Sequence, residues 1–320
     1  MRRRRLISRP ALGVMIALTG SVAPGIRAGR ARAASDPVIV AAGDLACSPH
    51  DPHFNDGQST ATACRAASTA ALAKAQSPVA VLPLGDEQYY CGLLTDFKAS
   101  YAKSWGQFNP IADPVPGNHE YGEQTEKGSC AHSHAEGYFS YCGSRAAPAG
   151  RGYYSYDIGA WHLIALNSEC PVVSCAAGST QETWLKHDLA THTNRCTLAY
   201  WHEPLFSSSA LAQEPAMGAI WRDLYDAHVD LVLNGHAHNY ERFAPQTPTG
   251  SPSANGIREI VVGTGGVDHG GFTSVRRNSQ VRNSSTYGVL KRTLHTDSYS
   301  WEFLHIPGAS FSDSGTASCH

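Results

Sequence analysis

Charge is scarce in this chain, and neither sign is in large excess. Asp, Glu, Lys and Arg together make up 16% of the residues, and the formal net charge is −2. Four of the 25 basic residues are Arg2 to Arg5, so a chain without its first residues is more acidic still. That excludes a strongly basic nucleic-acid-binding face and strong attraction to anionic membranes. No apolar run of about eighteen residues or more follows the start, so no membrane-spanning helix is expected there. Zinc-knuckle spacing is absent too. The nine cysteines are Cys47, Cys64, Cys91, Cys130, Cys142, Cys170, Cys175, Cys196 and Cys319, and no paired C-x-x-C set occurs among them. The sequence does have enough apolar residues, 42%, to bury a core without help from disulfides.

The N-terminus has the parts of an export signal. A basic head is followed by the short apolar stretch Ala-Leu-Gly-Val-Met-Ile-Ala-Leu ending at Leu18 and by Ala31-Arg32-Ala33, a small-x-small cleavage pattern. An ordinary secretory signal and a twin-arginine signal fit the head Arg3-Arg4-Arg5-Leu6-Ile7 equally well. Residues 1–33 are expected to be the signal, with 34–320 as one catalytic domain starting near Ala34. Export places the cysteines in an oxidising compartment, where they read as disulfides. The close pairs Cys130 with Cys142 and Cys170 with Cys175 are the expected bridges. An odd count leaves one thiol unpaired or bridging two chains.

Apolar runs alternate with helix-like stretches through the rest of the chain. Strands are expected at 38–41, 79–82, 161–166, 197–201, 231–233, 259–262, 287–294 and 300–306. Helices are expected at 57–75, at 180–189 with Thr180 as cap, and at 214–228. This alternation argues for an α/β fold, and the β-rich end for a second sheet packed on the first. The loop 122–152 is long and rich in Gly, Ser, Ala and His, as functional loops often are.

Polar residues punctuate the strand ends. Asp44, Asp86, Asn118, His202, His236 and His238 each follow an apolar segment. In α/β sheets ligands bind in the crevice beyond the carboxyl ends of the strands, so distant residues can converge there. Two carboxylates, an amide oxygen and three imidazoles are hard to borderline donors. A carboxylate shared between two cations would hold them roughly 3.5–4 Å apart, the spacing used in phosphoryl chemistry. Taken singly, a Gly-Asp is usually a turn and a His usually structural. The ordered set is what carries information.

That set resembles the calcineurin-like metallophosphoesterases: Gly43-Asp44, Gly85-Asp86, Gly117-Asn118-His119-Glu120, Trp201-His202 and Gly235-His236-Ala237-His238 stand in the family's order. Within the family the chain resembles the purple acid phosphatases, in a single-domain, secreted bacterial form. The usual Asp-x-His is Asp44-Leu45-Ala46 here, without the histidine. Tyr89 stands three residues after Asp86, as that branch has it, and Gly235 to Arg242 looks like its GHxHxYER.

The resemblance implies two packed mixed β-sheets flanked by helices, a four-layer αββα sandwich. It implies a first cation, Fe(III), on Asp44, Asp86, Tyr89 and His238, and a second, divalent Fe, Zn or Mn, on Asp86, Asn118, His202 and His236. Asp86 bridges them. The implied activity is hydrolysis of a small phosphate monoester by a metal-bound hydroxide, with Asn118, His119 and His202 meeting the substrate. Plant and animal relatives carry further histidines after the His-x-Pro segment. Here His202-Glu203-Pro204 is followed by none, which leaves His119 as the expected proton donor and Glu203, His132, His134 and His269 as weaker candidates. Two other readings stay open: a phosphodiesterase or nucleotide hydrolase on the same site, and a non-catalytic phosphate- or metal-binding protein. Oligomeric state is not legible.

Overall fold

The computed structural model describes residues 36–122, 130, 134–146, 150–211 and 213–320. The expected export signal, most of the 122–152 loop's apex and His132 lie outside the described residues. Among those described, twelve strands form two sheets. The strands are β1 (Val38–Ala42), β2 (Ala80–Pro83), β3 (Tyr154–Ile158), β4 (Trp161–Ala165), β5 (Cys196–Tyr200), β6 (Leu231–Asn234), β7 (Tyr240–Phe243), β8 (Arg258–Val262), β9 (Ser279–Asn283), β10 (Gly288–Leu294), β11 (Ser298–His305) and β12 (Ser314–Ser318). The helices are α1 (Ala66–Ala75), α2 (Leu94–Ala99), α3 (Glu136–Cys142), α4 (Thr180–Thr191) and α5 (Gly218–Asp226).

One sheet runs β12-β11-β10-β1-β2 and the other β3-β4-β5-β6-β8-β7-β9. Both are mixed: β1 and β2 are parallel in the first, and β4, β5, β6 and β8 in the second. Alternation along each strand decides the layers. Leu163, Leu198, Tyr200, Leu231 and Leu233 face inward and share a core with Ile39, Ala41, Leu82 and Leu290 of the first sheet. Ile164, Ala199 and Val232 face outward, where Leu185 of α4 and Ile220, Trp221 and Leu224 of α5 cover them. On the far side α1 packs on β10 and β11. Strands buried on both faces read as unbroken apolar runs, which is why β4, β5 and β6 are visible in the sequence.

Several expectations need correction. The 57–75 helix begins only at Ala66, because Cys64 has φ 59°, cannot continue a helix, and is tied to Cys47. Pro215–Met217 is a 3₁₀ turn capped by the Glu214 carboxylate, so the 214–228 helix starts at Gly218. The cap of α4 is Ser179, whose Oγ accepts from the Glu182 N–H at 3.2 Å, and not Thr180.

The bridges are Cys47–Cys64, Cys91–Cys130, Cys170–Cys175 and Cys196–Cys319. Cys170–Cys175 agrees with the short-range expectation. Cys130–Cys142 does not form. Cys130 pairs with Cys91 on the loop after β2, and Cys142 is the free thiol at the end of α3. Nearness in sequence is a poor guide where a long loop folds back onto another strand end. The Cys196–Cys319 link spans 123 residues and joins the start of β5 in one sheet to the end of β12 in the other. By chain entropy a loop of that length is worth about 4–5 kcal/mol.

Candidate metal centre

Asp44 and Asp86 follow β1 and β2, while His202, His236 and His238 follow β5 and β6. Asn118 follows Val115, which bridges Leu84 beside β2. All six sit at the carboxyl ends of parallel strands, so the sandwich delivers them to one crevice. Four have left-handed backbone: Asp44 (φ 60°), Asp86 (50°), His236 (67°) and His238 (50°). Each such residue costs about 1–2 kcal/mol relative to ordinary backbone. Strain concentrated on four converging polar residues marks a place where geometry is held for function. Two glycines make the room. A Cβ on Gly85 would lie 2.5 Å from His202 Nδ1, and one on Gly117 would lie 2.4 Å from Asp86 Oδ1.

The donors form two groups joined at one oxygen. In the first, Tyr89 Oη is 2.9 Å from Asp44 Oδ1, 2.9 Å from Asp86 Oδ2 and 2.8 Å from His238 Nε2. His238 Nε2 is also 3.2 Å from Asp44 Oδ1. In the second, Asn118 Oδ1 is 3.0 Å from His202 Nε2 and 3.1 Å from His236 Nδ1. His202 Nε2 lies 3.2 Å from Asp86 Oδ2. Asp86 Oδ2 therefore belongs to both groups.

Counting protons shows what this arrangement fits. The Tyr89 hydroxyl has one proton and faces two carboxylate oxygens, Asp44 Oδ1 and Asp86 Oδ2. Asp44 Oδ2 and His236 Nε2 are buried with no hydrogen-bond partner. Buried acceptors in surplus over protons are costly unless a cation meets them. The donor set of carboxylate, phenol, amide oxygen and imidazole suits hard to borderline cations, and two of them rather than one.

The protein's own charges agree. Burial raises the Asp86 carboxyl, but His202 and His119 outweigh it and hold the group well below the usual carboxylate range. Burial, then Asp44 and Asp86, push Tyr89 well above 10, so a tyrosinate there requires a compensating cation. Burial and His202 bring His236 down to about 4, which leaves it neutral and able to ligate. Burial acts downward on His238, but Asp44 and Asp268 raise it to about 10, so its proton must leave before a cation takes Nε2.

His119 stands beside the centre. Its Nδ1–H donates to the Tyr90 carbonyl at 2.7 Å, and Nε2 is 3.7 Å from Asp86 Oδ2. Its ring lies 4.1 Å from that of Tyr89, and its backbone N–H donates to Asp86 Oδ1 at 2.9 Å.

The weaker candidates are not among the converging donors, although His269 borders His238 and Glu203 follows His202. His134 lies at the exposed start of α3, where its backbone N–H donates to Glu136. His269 stacks on Tyr287 at 3.9 Å. Glu203 takes its backbone hydrogen bond to Ser168 Oγ and neighbours Glu169, whose carboxyl burial and Glu203 raise to about 9.

Two functional positions escaped the sequence reading. Glu120 accepts from the backbone N–H groups of Asp86, Gly117 and Gln88 at 2.9, 2.9 and 3.1 Å, and so ties the loop of Asp86 to the loop of Asn118. It was visible inside Gly117-Asn118-His119-Glu120 but had no assigned task. Asp268 accepts from His238 Nδ1. No motif announces it.

A crevice of two cation-ready donor groups at the strand ends of an αββα sandwich defines the metallophosphoesterase class. Within that class, the calcineurin-like phosphoesterase profile matches residues 37–240, and the chain belongs to that family. Its relatives include purple acid phosphatase 15 of Arabidopsis thaliana, 30% identical over 153 residues, which cover 43% of this chain and 27% of the relative. Purple acid phosphatase 21 of the same plant is 35% identical over 99 residues, covering 29% of this chain and 22% of the relative. The chain thus matches only about a quarter of the length of these relatives. The solved purple acid phosphatase PPD1 from yellow lupin seeds shares the fold. Its TM-score is 0.66 at 20% identity, over 89% of this chain and 54% of that one.

Proposed function

We propose that the chain is a secreted phosphomonoesterase with a two-cation centre. Residues 34–320 form the catalytic unit and 1–33 its export signal. Asp44, Asp86, Tyr89 and His238 would hold one ion, Fe(III), and Asp86, Asn118, His202 and His236 the other, a divalent Fe, Zn or Mn. The observation that carries this reading is Asp86 Oδ2, within 2.9 Å of Tyr89 Oη and 3.2 Å of His202 Nε2, one oxygen facing both donor groups. When bound, the ions would supply Lewis acidity toward phosphoryl oxygens and acidify a coordinated water.

The chain's own side chains account for the rest. Asn118 contributes a neutral oxygen, which keeps its half of the centre electrophilic. Asn118 and His202, buried around the reacting group, orient it and limit water. His119 is aimed by its Nδ1–H bond to the Tyr90 carbonyl, so that its imidazolium form turns the Nε2–H to the crevice, gives that proton to the departing oxygen and is left as the neutral ring. Four disulfides, three of them on loops beyond the strand ends, suit work outside the cell.

The test is hydrolysis of a chromogenic phosphate monoester by wild type and His119→Ala, both with metals retained. The expected result is turnover in wild type and a loss of about 10²–10⁴ in kcat for the variant, with unchanged metal content. Equal rates would remove His119 from the reaction. Absence of turnover in metal-loaded wild type would overturn the phosphatase reading.

A further inference from the structure

The three histidines of the centre are supported in three different ways. His202 Nδ1 donates to the buried carbonyl of Leu84 at 2.8 Å. His236 Nε2 is buried without a partner. Only His238 is backed by a carboxylate from outside the donor set: its Nδ1 lies 2.5 Å from Asp268 Oδ1. That contact fixes the proton on Nδ1 and turns the Nε2 lone pair to Tyr89 and Asp44.

Asp268 does not reach His238 by accident of a loose loop. The segment after β8 is sewn to the first donor group by backbone bonds. Gly265 N–H donates to Gly43 O at 3.0 Å, Val267 N–H to Asp44 O at 3.1 Å, and Gly270 N–H to His238 O at 2.9 Å. A Cβ on Gly263 would lie 2.7 Å from Asp44 Oδ2, so the segment is pressed against that half of the centre. It also lies beyond the family-matched residues 37–240.

We propose that Asp268 is a positioning residue for the Asp44/Tyr89/His238 half of the centre, holding the His238 ring so that this half retains its cation. A carboxylate behind a ligating imidazole locks the ring and makes the ligating nitrogen a stronger donor. Charge adds to this. Asp268 brings a further carboxylate to the Asp44 half, while the other half's own members are an amide and two imidazoles, Asn118, His202 and His236. Asp86 is common to both. The inference rests on the two-cation reading above.

The experiment follows metal loss from the loaded full chain into a chelator at fixed pH, with each ion counted separately. Wild type, Asp268→Ala and Asp268→Asn are compared. The expected result is that one ion leaves Asp268→Ala about 10–100-fold faster than wild type while the other leaves at the wild-type rate. Asp268→Asn, which keeps an acceptor oxygen without the charge, should fall between. Asp268 is 60% exposed, so both variants should fold. Unchanged loss of both ions in Asp268→Ala would overturn the proposal. Equal acceleration of both would also overturn it, because that is what a merely loosened loop does. A wild-type protein that holds no ions would overturn the two-cation reading itself, and this inference with it.

Discussion

Two clusters of histidine and carboxylate in this molecule have nearly the same composition and opposite character. One is the crevice around Asp86. The other joins β3, β4 and α4: His162 Nδ1 is 2.8 Å from Asp157 Oδ1, its Nε2 is 2.8 Å from Asp188 Oδ2, and Ser155 Oγ donates to Asp188 Oδ1 at 2.6 Å. There every acceptor has its own proton. His162 and His192 also stack 4.0 Å apart with planes 14° from parallel. Their in-plane lone pairs therefore run side by side and do not converge on one point. In the crevice one phenol proton faces two carboxylate oxygens, and two buried acceptors, Asp44 Oδ2 and His236 Nε2, have no partner at all. The types of residue do not make a cation site. A surplus of converging acceptors over protons does.

The largest expected effect comes from removing the shared oxygen. Asp86→Asn should drop monoester turnover on the order of 10³-fold and leave fewer than two ions per chain by elemental analysis. Asp188→Asn in the second cluster should leave both quantities at wild-type values. A loss of metal from Asp188→Asn would break the comparison.

Tyr89→Phe comes next. With Fe(III) on Asp44, Tyr89 and His238, the visible charge-transfer band should vanish in this variant, and an unchanged band would move the ligand elsewhere.

The smallest effect concerns pH. Burial lowers the pKa of His162, but its hydrogen bonds to Asp188 and Asp157 outweigh burial and raise it above 6.5. The folded pKa lies above the unfolded one, so this group's stabilisation is complete below about pH 6.5 and fades as pH rises through the folded value. Hydrogen bonds to a charged group suggest about 1.5–3 kcal/mol in total. Urea midpoints of wild type and His162→Phe should therefore converge as pH is raised, in chelator as well as in metal. A gap that widens with pH, or that exists only with metal bound, would contradict an ion-paired structural role.

The same proton count explains what the sequence could and could not reveal. Strand ends were legible because β1, β2, β5 and β6 are buried on both faces and read as apolar runs closed by Asp44, Asp86, His202 and His236. β3, β7, β9 and β12 were not legible. Ser-Gln-Val-Arg-Asn and Ser-Gly-Thr-Ala-Ser owe their strand state to pairing with β7 and β11, which no local pattern encodes. Disulfide partners depend on which loops meet, so Cys91 with Cys130 was hidden while Cys170 with Cys175 was not. Glu120 was seen without its task, because three backbone N–H groups from two loops leave no mark on the residues that supply them. Asp268 was missed because its contact with His238 crosses thirty positions. The fold and the residues that meet in the crevice were thus readable, and the side chains that brace them were not.

The most direct test is the metal stoichiometry of the purified chain, before and after exhaustive chelation, with monoester turnover followed on the same samples. Two cations per chain, and turnover that disappears with them and returns on reloading, is the expected result. Full turnover from a chain stripped of metal would contradict the two-cation centre outright.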